Sequence, residues 1–203
     1  MKILYFVLVF FSGNIIFAQS SRIHIPIDRS GFETIAIDSG TMRIYYALNA
    51  LDIKDEKTFD DLRRLDIGSK SSKCYSYFFF KNDSLRNEFL KKNPKAQGIP
   101  ISPSERGKKG EYWSLLIWSD FYNDFSKNVL TEFANMPRGG IPHYQYTEEL
   151  PLQEWKILDE TMTIAGHLCR KATCRFRGRD FTAWFTPDIP VSNGPWKFGG
   201  LPD

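Results

Sequence analysis

Cysteine and histidine are scarce in this 203-residue chain, three of each, and neither is spaced for its commonest chemistry. No two of Cys74, Cys169 and Cys174 are separated by two residues, which removes the dithiol motif of disulfide oxidoreductases. His24, His143 and His167 are scattered, with no pair at the spacing that puts two ligands on one helix face, so no metal is expected. A Gly-x-Ser-x-Gly nucleophile turn is missing, as is any glycine-rich loop leading into a helix, and with them go the serine-hydrolase, phosphate-loop and dinucleotide signatures. Neither an internal repeat nor a low-complexity tract is present. Charge is nearly balanced, at 27 basic against 24 acidic residues, which gives no general field for nucleic acid. Beyond the N-terminus no apolar run approaches the roughly 20 residues of a membrane-spanning helix.

The N-terminus itself is apolar. Lys2 precedes the run Ile3 to Phe11, Ser12-Gly13-Asn14 interrupts it, and Ile15-Ile16-Phe17-Ala18 leads to polar Gln19-Ser20-Ser21. A positive start, a short apolar core and a small exit residue are what translocation and signal peptidase require, so residues 1–18 are expected to be a cleaved leader. Its loss lowers the formal charge from +3 to +2, because Lys2 is its only charged residue. No cysteine lies near Ala18 to carry a lipid. The mature chain is then expected in the periplasm or outside the cell, as a single domain over residues 19–203.

Aromatic residues are abundant, at 15% of the chain, and they fall in short runs that favour β structure. Thr41 to Ala50 reads as a strand with Met42, Ile44, Tyr46 and Leu48 on one face. Leu62 to Ile67 and Lys73 to Phe80, on either side of Gly68-Ser69-Lys70-Ser71, read as a hairpin. Asn82 to Asn93 changes to a helical period, with Leu85, Phe89 and Lys92 on one stripe, Asn82 or Asp83 as cap and Pro94 as stop. Residues 94–110, rich in glycine, proline and charge, are expected to be an exposed loop. Further strands are expected at Tyr112–Phe121, Val129–Phe133, His143–Glu148, Glu154–Leu158, Leu168–Phe176 and Phe181–Thr186. Tight reversals are expected at Gly166-His167 and Gly178-Arg179. The sum is a mainly antiparallel β fold, or α+β, built as a curved meander sheet with one or two helices packed on it.

Several residues invite a functional reading. Cys169 and Cys174 on one strand would point to opposite faces about 16 Å apart, beyond the roughly 7 Å reach of a disulfide. Cys74 then either bridges to one of them or all three remain thiols. Glu148-Glu149 and Asp159-Glu160 read as solvated strand edges. Basic residues gather at Arg170-Lys171, Arg175, Arg177 and Arg179, where polar strand positions explain them. Tyr75, Tyr77, Phe79, Trp113, Trp118, Trp155, Trp184, Trp196 and Phe198 either pack a core or line a groove for a lipid or peptide.

Four blocks near the C-terminus carry a resemblance: Trp155 to Leu158, Ile164 to Ala172, Phe176 to Pro187, and Gly194-Pro195-Trp196-Lys197-Phe198. With the run Gly200-Leu201-Pro202, they resemble the GLPGLI family of secreted proteins from Bacteroidota-type bacteria. The family's six-residue run departs at Asp203, so the domain is expected to be incomplete at that end. The resemblance implies no activity or cofactor. Two functions remain open: a non-enzymatic envelope or periplasmic module that binds a partner such as an outer-membrane protein, or a carrier or hydrolase using an aromatic-lined cleft. In the second, Trp155, Trp184, Trp196 and Phe198 are the candidate binding residues, and Cys169 and His167 the candidate reactive groups.

Overall fold

The structure, a computed structural model, describes residues 7–8, 21–26, 34–96, 118–134 and 144–202. Its architecture is the antiparallel β fold expected, in two sheets with one α-helix. The larger sheet is a curled half-barrel of β1 (Val7–Leu8), β2 (Ser21–Pro26), β3 (Thr34–Leu48), β4 (Asp61–Gly68), β5 (Ser71–Ser76), β6 (Ser119–Asp124), β7 (Val129–Ala134) and β8 (Tyr144–Glu149). From β3 to β8 it is a simple meander, while β1 and β2 both pair with β3. The smaller sheet holds β9 (Lys156–Ile164), β10 (His167–Phe176) and β11 (Arg179–Phe185), in the order β11-β10-β9.

Period-two alternation gives the large sheet two covered faces. Ile44, Tyr46, Leu65, Ile67, Cys74, Phe121 and Leu130 form a core on one face, closed by Leu150, Val191 and Trp196. Ala47, Phe59, Leu62 and Phe78 form a second core on the other face. Met42 belongs by alternation to the first face but lies at its exposed rim. β4 sits at the centre and is buried along its whole length, so its four charged residues must find partners inside. On the second face Asp66 accepts from Arg43 (2.7 Å), Arg64 (2.8 Å) and the Tyr75 hydroxyl (2.8 Å). Burial pushes the Asp66 carboxyl up, and those donors outweigh it and hold the group below its ordinary range. The same burial raises the Tyr75 phenol.

The β4–β5 turn requires glycine for space. A Cβ on Gly68 would stand 2.4 Å from Asp38 Oδ2, the oxygen that accepts from Lys70 N and Ser71 N. At the two hairpins of the small sheet, the reason is backbone conformation. Ala165 (φ 50°) and Gly166 (φ 89°) close one, Arg177 (φ 50°) and Gly178 (φ 78°) the other, the paired left-handed residues of a type I′ turn. The reversals thus sit one residue earlier than expected.

The strand expected to run to Phe80 stops at Ser76, and α1 occupies Tyr77–Lys92. Ser76 explains the early start: its hydroxyl accepts from Phe79 N and caps the helix. The cap is therefore neither Asn82 nor Asp83. Lys92 ends the helix one residue before Asn93 and two before Pro94, as expected. Its buried contact is made by Phe78 in the first turn, whereas Leu85 is 53% exposed, so the Leu85–Phe89 stripe does not serve as the packing face. β3 begins at Thr34, seven residues before the strand expected from Thr41. β9 runs on to Ile164, six residues past the expected end. The exposed loop of residues 94–110 falls mostly outside the described residues, as do Trp113 and His143.

A candidate apolar cleft between the sheets

The segment after β11 returns across both sheets, and side-chain amides hold it there. Gln153 Nε2 donates to Lys197 O (3.0 Å), Gly199 N donates to Gln153 Oε1 (2.9 Å), and the Trp155 indole donates to Gly199 O (2.8 Å). Asn193 Oδ1 accepts from Ser72 and Asn123 of the large sheet, each at 3.2 Å. Gly194 and Phe198 close the intervening loop through Gly194 N and Phe198 O at 3.1 Å, which turns Trp196 and Phe198 inward as the Gly194-Pro195 pair predicts. Phe198 then packs edge-on against Phe181, centroids 4.8 Å apart, and Trp196 against Phe176 at 6.0 Å.

This packing leaves a half-open cleft of about 60 Å³ between β11, the returning segment and Tyr46 of β3. Trp155, Phe181, Trp184, Phe185, Phe198 and Leu201 form most of its wall, and no acidic, basic or histidine side chain lines it. Of the four expected binding residues, Trp155, Trp184 and Phe198 line the cleft. Trp196 does not; it packs into the core between the sheets. The other aromatic residues lie elsewhere: Tyr75 and Tyr77 pack around α1 and Phe80, and Phe79 against Trp118 at 4.5 Å. At the rim Lys171 Nζ stands 6.0 Å from the Trp184 ring and pairs with Glu160 at 2.8 Å.

The three cysteines are free and buried. Cys169 and Cys174 lie on opposite faces of β10, as their odd separation dictates. The Cys169 thiol donates to His167 O at 3.6 Å, and burial raises the pKa of both Cys169 and Cys174, the reverse of what a nucleophilic thiolate needs. His167 Nδ1 lies 3.0 Å from Asp188 Oδ2. His24 is exposed beside Thr34. Among the described residues no three histidine, cysteine or acidic side chains converge as a metal site.

Glu148 corrects the reading of solvated edges, whereas Glu160 is exposed on the edge strand β9 as expected. Glu148 binds Arg177 from the β10–β11 turn, Lys197 Nζ (2.8 Å) and the Tyr146 hydroxyl (3.0 Å). Lys197, only 5% exposed, also reaches Glu132 at 3.0 Å, and its ammonium lies 4.8 Å from the Tyr146 ring. The signal was a lysine between Trp196 and Phe198, where an apolar run has no other use for a charge. Gln153 and Tyr46 carried no such signal, because their roles arise from contacts distant in sequence.

Residues 175–203 match the model of Porph_ging, described as a protein of unknown function. The match covers β11 and the returning segment, and so most of the cleft wall. No curated protein matches the chain. Two solved structures of PNGF-II, in space groups C2 and P21, are similar at 18% and 16% identity with TM-scores of 0.38 and 0.39. They cover 67% and 73% of this chain. The chain spans about a fifth of their length, 20% and 22%.

Proposed function

We propose that this chain is an exported, GLPGLI-type binding module without catalysis of its own, and that the cleft beside β11 is its binding surface. The observation that carries the reading is a cleft with aromatic walls and no acidic, basic, histidine or cysteine side chain to do acid, base or nucleophilic work. Concave apolar walls with few polar groups are the usual form of a ligand or anchor site. The elevated Cys169 thiol weighs against the hydrolase alternative, whereas a carrier would use the same cleft. Residues 1–18 act as the leader in this reading and the mature chain works in the periplasm or outside the cell. No helix among the described residues is long and apolar enough to cross a membrane.

The test is reversible crosslinking in the native cells, recovery of the chain, and mass spectrometry of what accompanies it. The recovered chain is expected to begin at Gln19 and to enrich one envelope protein or one apolar ligand, with the enrichment lost in Trp184→Ala. A chain that retains Met1, or enrichment indifferent to Trp184, would contradict the proposal.

A further inference from the structure

We infer that the cleft takes an extended apolar segment of a partner polypeptide, which adds as a strand to the edge of β11 that faces away from β10. This rests on the cleft being the binding surface and adds the class of occupant. Five consecutive residues, Phe181 to Phe185, line the cleft. Consecutive strand residues point to opposite faces, so a wall made of all five runs along the strand's edge. Among the described residues β11 pairs only with β10. Their two-residue hairpin closes at Phe176 and Arg179, and the closing pair of such a hairpin exchanges both of its hydrogen bonds. Counting by twos, Phe181, Ala183 and Phe185 bond inward to β10, while Thr182 and Trp184 direct their N–H and C=O groups to the open edge. That edge therefore offers paired donors and acceptors inside an apolar slot, the arrangement strand addition exploits.

The far side of the cleft fits the same occupant. Tyr46 lines it from β3, and the β3 edge there already takes an extended segment, with Val7 opposite Ala47 and Leu8 opposite Tyr46 in antiparallel register. If residues 1–18 leave on export, that edge of β3 opens. A strand entering the cleft along β11 would satisfy the backbone groups of its outer edge. Its alternate side chains would meet Phe181, Phe185 and Phe198 on one side and Trp184 on the other. The lining carries no charge to recognise an ionic partner, so the segment recognised is apolar.

The probe is a fluorescein-labelled octapeptide alternating valine and threonine, titrated by anisotropy against the full chain purified from its native cells. Its control is the same peptide methylated at every internal backbone nitrogen, equally apolar but unable to donate. Saturable binding, weakened roughly tenfold or more by methylation, is the expected result, a loss within reach of a few edge hydrogen bonds. Thr182→Pro removes one edge donor without touching the β10 ladder and is expected to weaken binding too, as edge strands tolerate proline. Equal binding of the methylated peptide, or no binding of either, overturns the inference. Parallel titration with N-phenyl-1-naphthylamine separates the two levels. Dye bound but peptide not means that the cleft takes apolar chains without strand pairing; neither bound removes the cleft reading as well.

Discussion

Replacing Arg63 with methionine is expected to destabilise the fold by about 3–5 kcal/mol, the usual cost of stripping one partner from a buried charged pair. Arg63 and Asp61 are both buried at the centre of the large sheet. The guanidinium lies 3.5 Å from Asp61 and donates to Cys74 O (3.1 Å) and Ser119 O (2.8 Å). Its centre stands 5.8 Å from the Phe121 ring. Methionine keeps much of the volume but leaves the Asp61 carboxylate with Ser76 as its side-chain donor, at 2.7 Å. Burial already raises the Asp61 pKa above 3.8 despite Arg63, and losing the cation raises it further. A carboxyl raised on folding favours the native state most below its unfolded pKa and loses that contribution as pH rises through the folded value. The deficit of Arg63→Met is thus smallest in acid and grows toward neutrality. Adding Asp61→Asn, which removes the stranded charge, is expected to restore a substantial part. Urea unfolding of the three forms at several pH values gives the measurement, and a loss below about 1 kcal/mol for Arg63→Met at neutral pH would contradict the account.

Lys197→Ala is expected to cost about 2–3 kcal/mol and to loosen the cleft along with the fold. The figure stays below that for a fully buried pair because the side chains of Glu132 and Glu148 are 23% and 18% exposed and water screens them in part. Lys197 fastens the returning segment to β7 and β8, and Gln153 grips the carbonyl of the same residue. Burial pushes the Glu148 carboxyl up, but the hydrogen bonds from Lys197 and Tyr146 and the charges of Lys197 and Arg177 outweigh it, leaving the group below 4.5. A carboxyl depressed on folding stabilises the native state above its unfolded pKa, and this contribution is lost as pH falls through the folded value. The unaltered protein should therefore lose stability below about pH 4.5, and Lys197→Ala should lose less over that range. Thermal melts from neutral pH into acid test this; parallel curves for the two forms would argue against the latch.

Much of the fold was legible because alternation and turn chemistry are local. The strands from Thr41, Leu62, Val129, Leu168 and Phe181 onward follow from period two, and Gly166 and Gly178 place their reversals to within one residue. Tyr77 to Phe80 misled because aromatic residues favour strands, while a single hydroxyl on Ser76 decided for a helix. The burial of β4 was hidden as well: Asp-Leu-Arg-Arg-Leu-Asp looks half-solvated until both faces are known to be covered. At the cleft, Trp155, Trp184 and Phe198 stood out by residue type, yet Trp196 shares that type and packs in the core. Composition marked the aromatic residues, and only the path of the returning segment divides them between wall and core. Glu148 shows the same limit, since its partners Lys197 and Arg177 lie far along the chain.

Titration of the chain purified from its native cells with N-phenyl-1-naphthylamine, followed by dye emission, tests the proposed binding cleft most directly. The account predicts a single saturable site, weakened roughly tenfold or more by Trp184→Ala and unchanged by Leu168→Ala, an exposed apolar residue that does not line the cleft. Unsaturable binding, or equal effects of the two substitutions, would contradict it.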